Sequence, residues 1–358
     1  MSENVWTPGT ATATGSLPGT DPVEAARVAA GALPELMPFP ELPARGVGAD
    51  VLGRTAGMLV DLAAEVVPSG YRVARHPGRD QRRAKDLLRW DLDAVEQAVA
   101  EEGPPRVIKV QAAGPWTLGA GVELERGHRV LTDHGALRDF AESLTLGLVE
   151  HVSTVRSRIG VPVVVQLDEP SLPAVLRGGL STPSGYGTVA PVPAPEAQRL
   201  LSEVVEELAE ATGAPVAVHC CAARPPVGLL QRAGAGAIAL DATRMGEVVG
   251  PLADEIGEAW EGGVALLLGL VPSRQPAAES SEREASERES PGREPSVHEL
   301  AMPAHDLASR LGFPRRVLAQ NALPTPVCGL AGASAPWSRR ALALARDLGS
   351  LFRDEADQ

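Results

Sequence analysis

The side chains with the most chemistry to offer stand together at Val218-His219-Cys220-Cys221, directly after the apolar run 214–218. His219 and Cys221 are two positions apart, a spacing that aims both side chains to one side of extended backbone. Cys220, between them, faces the other way. Two more apolar stretches carry groups of the same kind. Asp241 closes Ala237-Ile238-Ala239-Leu240-Asp241, and Cys328 sits in Pro326-Val327-Cys328-Gly329-Leu330, eight residues past the last expected strand. One imidazole, two thiolates and a carboxylate suit a tetrahedral zinc ion, and closure of a barrel would bring them together. A second reading needs no metal: cysteine also serves as a small buried hydrophobe, and Asp241 as an N-cap over Thr243-Arg244. Cys220, Cys221 and Cys328 are the only cysteines, which rules out a disulfide-stapled secreted fold.

These groups need elements to hold them. The 358 residues are enough for one large barrel or two modest domains, and 44% hydrophobic residues can bury a sizeable core. Apolar, β-like runs recur at 11–15, 70–74, 106–112, 161–167, 214–218, 236–240, 262–270 and 316–320. The later runs are continuous and rich in Val, Ile or Leu, as in parallel strands covered on both faces. Helical periodicity occupies 21–31, 136–158, 194–212, 241–258, 297–311 and 335–352. Eight strands alternating with helices predict an α/β fold, a single (β/α)8 TIM barrel running from about residue 8 to residue 353. No internal repeat is present, and no G-x-G-x-x-G follows the first strand, which argues against a dinucleotide fold. Residues 273–298 carry no aromatic and a single large aliphatic, Val297, so a disordered insertion is expected on the catalytic rim; a short helix laced with Glu/Arg pairs is the competing reading.

Composition excludes several partners. The net charge of −13 argues against nucleic acid. No apolar run reaches the roughly eighteen residues of a membrane span. No basic stretch precedes an apolar one at the N-terminus, so a cytoplasmic location is expected. Cationic charge is almost all arginine: the only lysines are Lys85 and Lys109.

Taken in order, the motifs resemble the C-terminal catalytic barrel of cobalamin-independent methionine synthases. The matching segments are Thr14-Gly15-Ser16-Leu17-Pro18, Gly114-Pro115-Trp116-Thr117, Gln166-Leu167-Asp168-Glu169-Pro170-Ser171-Leu172, His219-Cys220-Cys221, Leu240-Asp241-Ala242-Thr243-Arg244 and Cys328-Gly329-Leu330. The resemblance implies zinc held by His219, Cys221, Cys328 and an acidic residue, here Asp241. It also implies methyl transfer to a small-molecule thiol, homocysteine or a relative, from methyl-folate or a methyl-corrinoid. In this reading Asp168 holds the substrate ammonium, its other reading being an N-cap or loop carboxylate, and the backbone at Gly15 and Ser16 receives the substrate carboxylate; Trp116 either stacks on a flat donor or is a buried core tryptophan.

The sequence departs from that family at identifiable points. Its zinc carboxylate is usually Glu, and Asp241 is one methylene shorter. Its Asp-Ile-His-Ser-Pro segment, whose histidine is implicated in protonating the departing folate, aligns with Leu270-Val271-Pro272-Ser273-Arg274. Its His-Gly-Glu loop is replaced by Glu65-Val66-Val67-Pro68. Two other classes stay open: a barrel enzyme like uroporphyrinogen decarboxylase, with Arg72, Arg75, Arg79, Arg82 and Arg83 on carboxylates, and a non-catalytic paralogue that keeps zinc structurally.

Overall fold

The continuous apolar runs form parallel strands in the computed structural model, which describes residues 5–182, 185–246, 248–276 and 293–356. In chain order the strands are β1 (Met37–Pro38), β2 (Ala63–Val67), β3 (Gly70–Ala74), β4 (Ile108–Ala113), β5 (Val122–Glu123), β6 (Val163–Asp168), β7 (Ala217–His219), β8 (Ala237–Asp241), β9 (Ala265–Val271) and β10 (Ala322–Pro326). Seven of them make one all-parallel sheet in the order β1-β4-β6-β7-β8-β9-β10. Every residue of β4, β6, β8, β9 and β10 is buried. Helices cover the outer face, as the near-uniform apolarity of these runs requires.

The sheet departs from the expected eight strands in three places. Residues 11–15 form no strand; they tie the two edges of the sheet together instead. Thr12 donates its N–H to Pro324 O in β10 and its hydroxyl to Leu36 O beside β1, while Gly15 O accepts from Glu41 N. A side-chain bond replaces the backbone ladder on one side, and Gly15 at φ +128° breaks the extension. Because one segment bonds both edges, the seven-stranded sheet must curl.

Residues 70–74 are a strand, but outside this sheet. β3 pairs antiparallel with β2 and parallel with β5 in a separate three-stranded sheet. The replacement segment 65–68 therefore lies largely within β2, with Glu65 and Val66 exposed.

Residues 316–320 belong to a helix, Arg316–Asn321, and the last strand follows it. A short apolar run does not reveal its own period. The two strands of the seven-stranded sheet that escaped notice, β1 and β10, contain proline and lie at its edges, where a missing N–H interrupts no inner ladder. The shift places Cys328 two residues past β10.

Most helices match their periodicity, including Pro22–Ala32, His134–Ile159, Ala194–Thr212, Val297–Arg310 and Ala335–Ala356. Asp21 and Asp133 cap two of them through pairs of backbone N–H groups. The helix expected from 241 begins only at Pro251. Of the excursion expected at 273–298, residues 277–292 lie outside the described residues. Its C-terminal end is ordered, with Ser296 and Glu299 forming a capping box for Val297–Arg310. Among the described residues, no helix is long and apolar enough to cross a membrane.

The inner face of the curled sheet changes character along the strands. Alternation gives Val164, Gln166 and Asp168 on β6, and Ala217 and His219 on β7. The apolar members join Leu36, Val107 and Leu267 in a small core at the N-terminal end. The polar members gather at the C-terminal end, where parallel α/β enzymes build their sites.

Candidate metal site

His219 is the last residue of β7, and Asp168, the last of β6, is its register partner. Neighbouring ends on one face bring His219 Nδ1 to 2.9 Å from Asp168 Oδ1. The same oxygen accepts from Gln166 Nε2 at 2.7 Å. The other ring nitrogen, His219 Nε2, is buried and has no hydrogen-bond partner. Such an orphan calls for a reason, and a ligand that takes its lone pair would be one.

Two thiols supply that reason. A ring nitrogen of His219 and the sulfurs of Cys221 and Cys328 all lie within 4.8 Å of one another. The two sulfurs are 3.8 Å apart. A tetrahedral zinc ion with Zn–S bonds of about 2.3 Å needs its sulfurs about 3.8 Å apart, so the two sulfurs already stand at zinc spacing. Cys220 takes no part: it is fully buried in the apolar core, and burial pushes its thiol up to about 11.

The loops after β7 and β10 hold the thiols. Arg244 Nη1 donates to Cys221 O at 3.4 Å. Val327 N donates to Val271 O and Leu330 N to Ser16 O, fixing the chain on both sides of Cys328. A Cβ on Gly329 would lie 2.0 Å from Ser16 Oγ, so any side chain here would force the Ser16 hydroxyl to turn away. Gly15 and Ser16 are thus brought to the metal loop. The bridge to Glu41 uses Gly15 O and Leu17 N, which turns the N–H and C=O of Ser16 towards Cys328.

The charges are coupled. The hydrogen bond with Cys221 holds the Cys328 thiol below its ordinary range, against burial and with help from His219. Cys221 is raised by the same bond and by burial. Burial opposes a proton on His219, but the hydrogen bond and charge of Asp168 outweigh it and raise the imidazole. A metal cation would replace the shared proton and deprotonate both thiols.

Asp241 stands apart from the three donors. Its Oδ1 accepts from Thr243 N at 3.0 Å and Thr243 Oγ1 at 2.6 Å, a local turn like the capping role open to it from sequence. Among the described residues it does not join the His–Cys–Cys group. For Trp116 the structure agrees with the second of its two readings. The indole is 0% exposed and donates Nε1–H to Ala197 O, so it is core and presents no open face to a donor. Four of the five arginines of the decarboxylase reading are also occupied. Arg72 and Arg75 pair with Glu123 and Glu125, and Arg82 and Arg83 bond backbone carbonyls.

Three residues that sequence reasoning passed over shape this end of the sheet. Glu169 is fully buried and accepts from Trp116 N, Thr117 N and Thr117 Oγ1. It thereby satisfies the start of the helix Pro115–Gly121 and explains Gly114, where a Cβ would lie 2.3 Å from Glu169 Oε1. Burial pushes its carboxyl up to about 7, against the pull of these three donors. Replacing it strands all three, so Glu169→Leu is expected to lower unfolding free energy by about 3 kcal/mol, read from the denaturant midpoint; an unchanged midpoint would refute the capping role. Gln166 and Lys109 form the second connection. Lys109, in β4, is fully buried, with Nζ 2.6 Å from Gln166 Oε1. Burial lowers it to about 8 against the charges of Asp168 and Glu41. A lysine inside an apolar run, in a chain with only two, was the available signal.

With this geometry in hand, comparison with known proteins is specific. The family model described as cobalamin-independent synthase, catalytic domain, matches residues 9–350. The chain belongs to this family. Its fold is shared by a B12-independent methionine synthase from Shewanella sp. W3-18-1 in complex with selenomethionine, at 13% identity and a TM-score of 0.56, covering 98% of this chain and 99% of that one. A methyltransferase from Methanosarcina mazei shares it at 16% identity and a TM-score of 0.53, covering 99% and 96%. No curated protein sequence matches the chain.

Proposed function

We propose that this synthase-family chain transfers a methyl group to a small-molecule thiol, with zinc held by His219, Cys221 and Cys328. The observation that carries the reading is the sulfur pair 3.8 Å apart beside a histidine whose buried Nε2 lacks a partner. Three protein donors leave one tetrahedral position for a ligand, the pattern of catalytic rather than structural zinc. When bound, the ion supplies Lewis acidity that makes an incoming thiol a thiolate near neutral pH, where a free thiol is mostly protonated.

The chain's own residues orient and bind. Asp168 Oδ1 holds the His219 ring, and the second carboxylate oxygen is free to take the ammonium of an amino-acid thiol. The N–H of Ser16, turned towards Cys328, suits the carboxylate of the same substrate. The selenomethionine held by the Shewanella relative supports an amino-acid acceptor such as homocysteine. Asp241, outside the group of three donors, becomes a fourth ligand only if its carboxylate moves towards them.

The test is alkylation of a thiol panel by the zinc-loaded chain, with methyl-folate and methylcobalamin as donors. Methylation that disappears on chelation and returns with zinc is expected. Stoichiometric zinc with no methylation of any thiol would refute the enzyme reading in favour of a binding protein.

A further inference from the structure

We infer that Lys109, acting through Gln166 and Asp168, locks His219 in the tautomer whose Nε2 lone pair is free for a metal. This rests on the reading of His219 as a ligand, but the hydrogen-bond directions follow from the chain alone.

The direction is set at the far end. A lysine ammonium has three donors and no acceptor. Its Nζ, 2.6 Å from the Gln166 side chain, therefore faces the amide oxygen. The amide nitrogen must then face Asp168 Oδ1 at 2.7 Å and Thr14 O at 3.3 Å, and both are acceptors. Reversing the amide would set its oxygen against a carboxylate and a carbonyl, and its NH2 against an ammonium. Three partners thus agree on one orientation, which hydrogen positions alone could not establish.

The second half follows. Asp168 Oδ1 already accepts from Gln166, and as a carboxylate oxygen it can only accept again from His219 Nδ1 at 2.9 Å. The ring hydrogen is on Nδ1, so the lone pair is on Nε2, the buried atom without a partner. Carboxylate–histidine pairs are a known means of orienting metal ligands. What is particular here is a donor-only cation in the neighbouring strand β4, bonded to the glutamine two residues before the carboxylate, which fixes the amide so that its NH2 holds Asp168 Oδ1 where His219 Nδ1–H meets it. Lys109 and Gln166 are positioning residues: neither reaches the thiols.

The test reads the tautomer itself. In the full chain freed of metal and labelled with 15N-histidine, His219 should show Nδ1 protonated and Nε2 bare. Lys109→Met should mix the two tautomers and weaken zinc binding about 10- to 100-fold. The His305 signals, from a residue paired with Glu355 elsewhere in the fold, should not change. Gln166→Met, which cuts the relay without altering charge, should do the same and serves if Lys109→Met fails to fold. A shifted tautomer supports the relay even where zinc does not bind, an outcome that would refute the metal reading alone. Wild-type tautomer and zinc affinity in both variants would overturn the inference.

Discussion

Cys221→Ser should abolish zinc binding while Cys220→Ser leaves it nearly intact. Adjacent residues leaving a strand face opposite ways. Cys221 meets Cys328 at 3.8 Å, whereas Cys220 is fully buried in the core. Loss of an outer-shell partner typically costs 10- to 100-fold in metal affinity, so loss of a direct sulfur should exceed about 100-fold. Cys328→Ser should behave like Cys221→Ser. Cys220→Ser should instead lower stability by about 1–3 kcal/mol, because it buries a hydroxyl in apolar surroundings. Zinc content of the purified variants separates these outcomes. Equal zinc loss from Cys220→Ser and Cys221→Ser would contradict the ligand assignment.

Methylcobalamin should serve as a better donor than methyl-tetrahydrofolate. A departing folate nitrogen needs a proton, whereas a methyl group leaves cobalt without one. The family element that supplies the proton donor corresponds to 270–274. Here Leu270 and Val271 end β9, and Pro272 O accepts from Trp337 Nε1. Arg274 follows, and no imidazole occurs in this stretch. A guanidinium stays protonated at neutral pH and is a poor acid. Positioned acids and bases contribute about 10²–10⁴-fold in rate, so folate-dependent turnover should be slower by a factor in that range. The measurement is the rate of thiol methylation with each donor at matched thiol concentration. Robust folate-dependent methionine formation would reverse the ranking.

Much of this protein was legible because its signals are local. Strands covered on both faces read as unbroken apolar runs, so β4, β6, β7, β8 and β9 could be placed from sequence. The spacing of His219 and Cys221 at a strand end was enough to set Cys220 apart, since alternation is a property of the backbone. The ordered motifs then pointed to the cobalamin-independent synthase family, whose model covers residues 9–350.

Other features depend on neighbours that are distant in sequence. The edge strands β1 and β10 contain prolines, which read as breakers until the sheet shows that their outer sides need no ladder. Residues 11–15 looked like a first strand, yet they bond both edges of the sheet through Thr12 and Gly15. Trp116 was open between a ligand and the core, and its bond to Ala197 O together with the cap supplied by Glu169 places it in the core. Asp241 and Cys328 were both candidate ligands, Asp241 the weaker because it is one methylene shorter than the family's Glu. Only the fold carries Cys328 to Cys221 and commits Asp241 to Thr243. Lys109, Gln166, Asp168 and His219 come from three strands, and their hydrogen bonds exist only once the register of β4, β6 and β7 is set. Sequence alone determined which side chains could ligate and which strands would carry Asp168, His219 and Asp241, because these follow from backbone periodicity. The tertiary structure decided which of those side chains meet, because a lone pair becomes available only when every other donor and acceptor around it has been assigned.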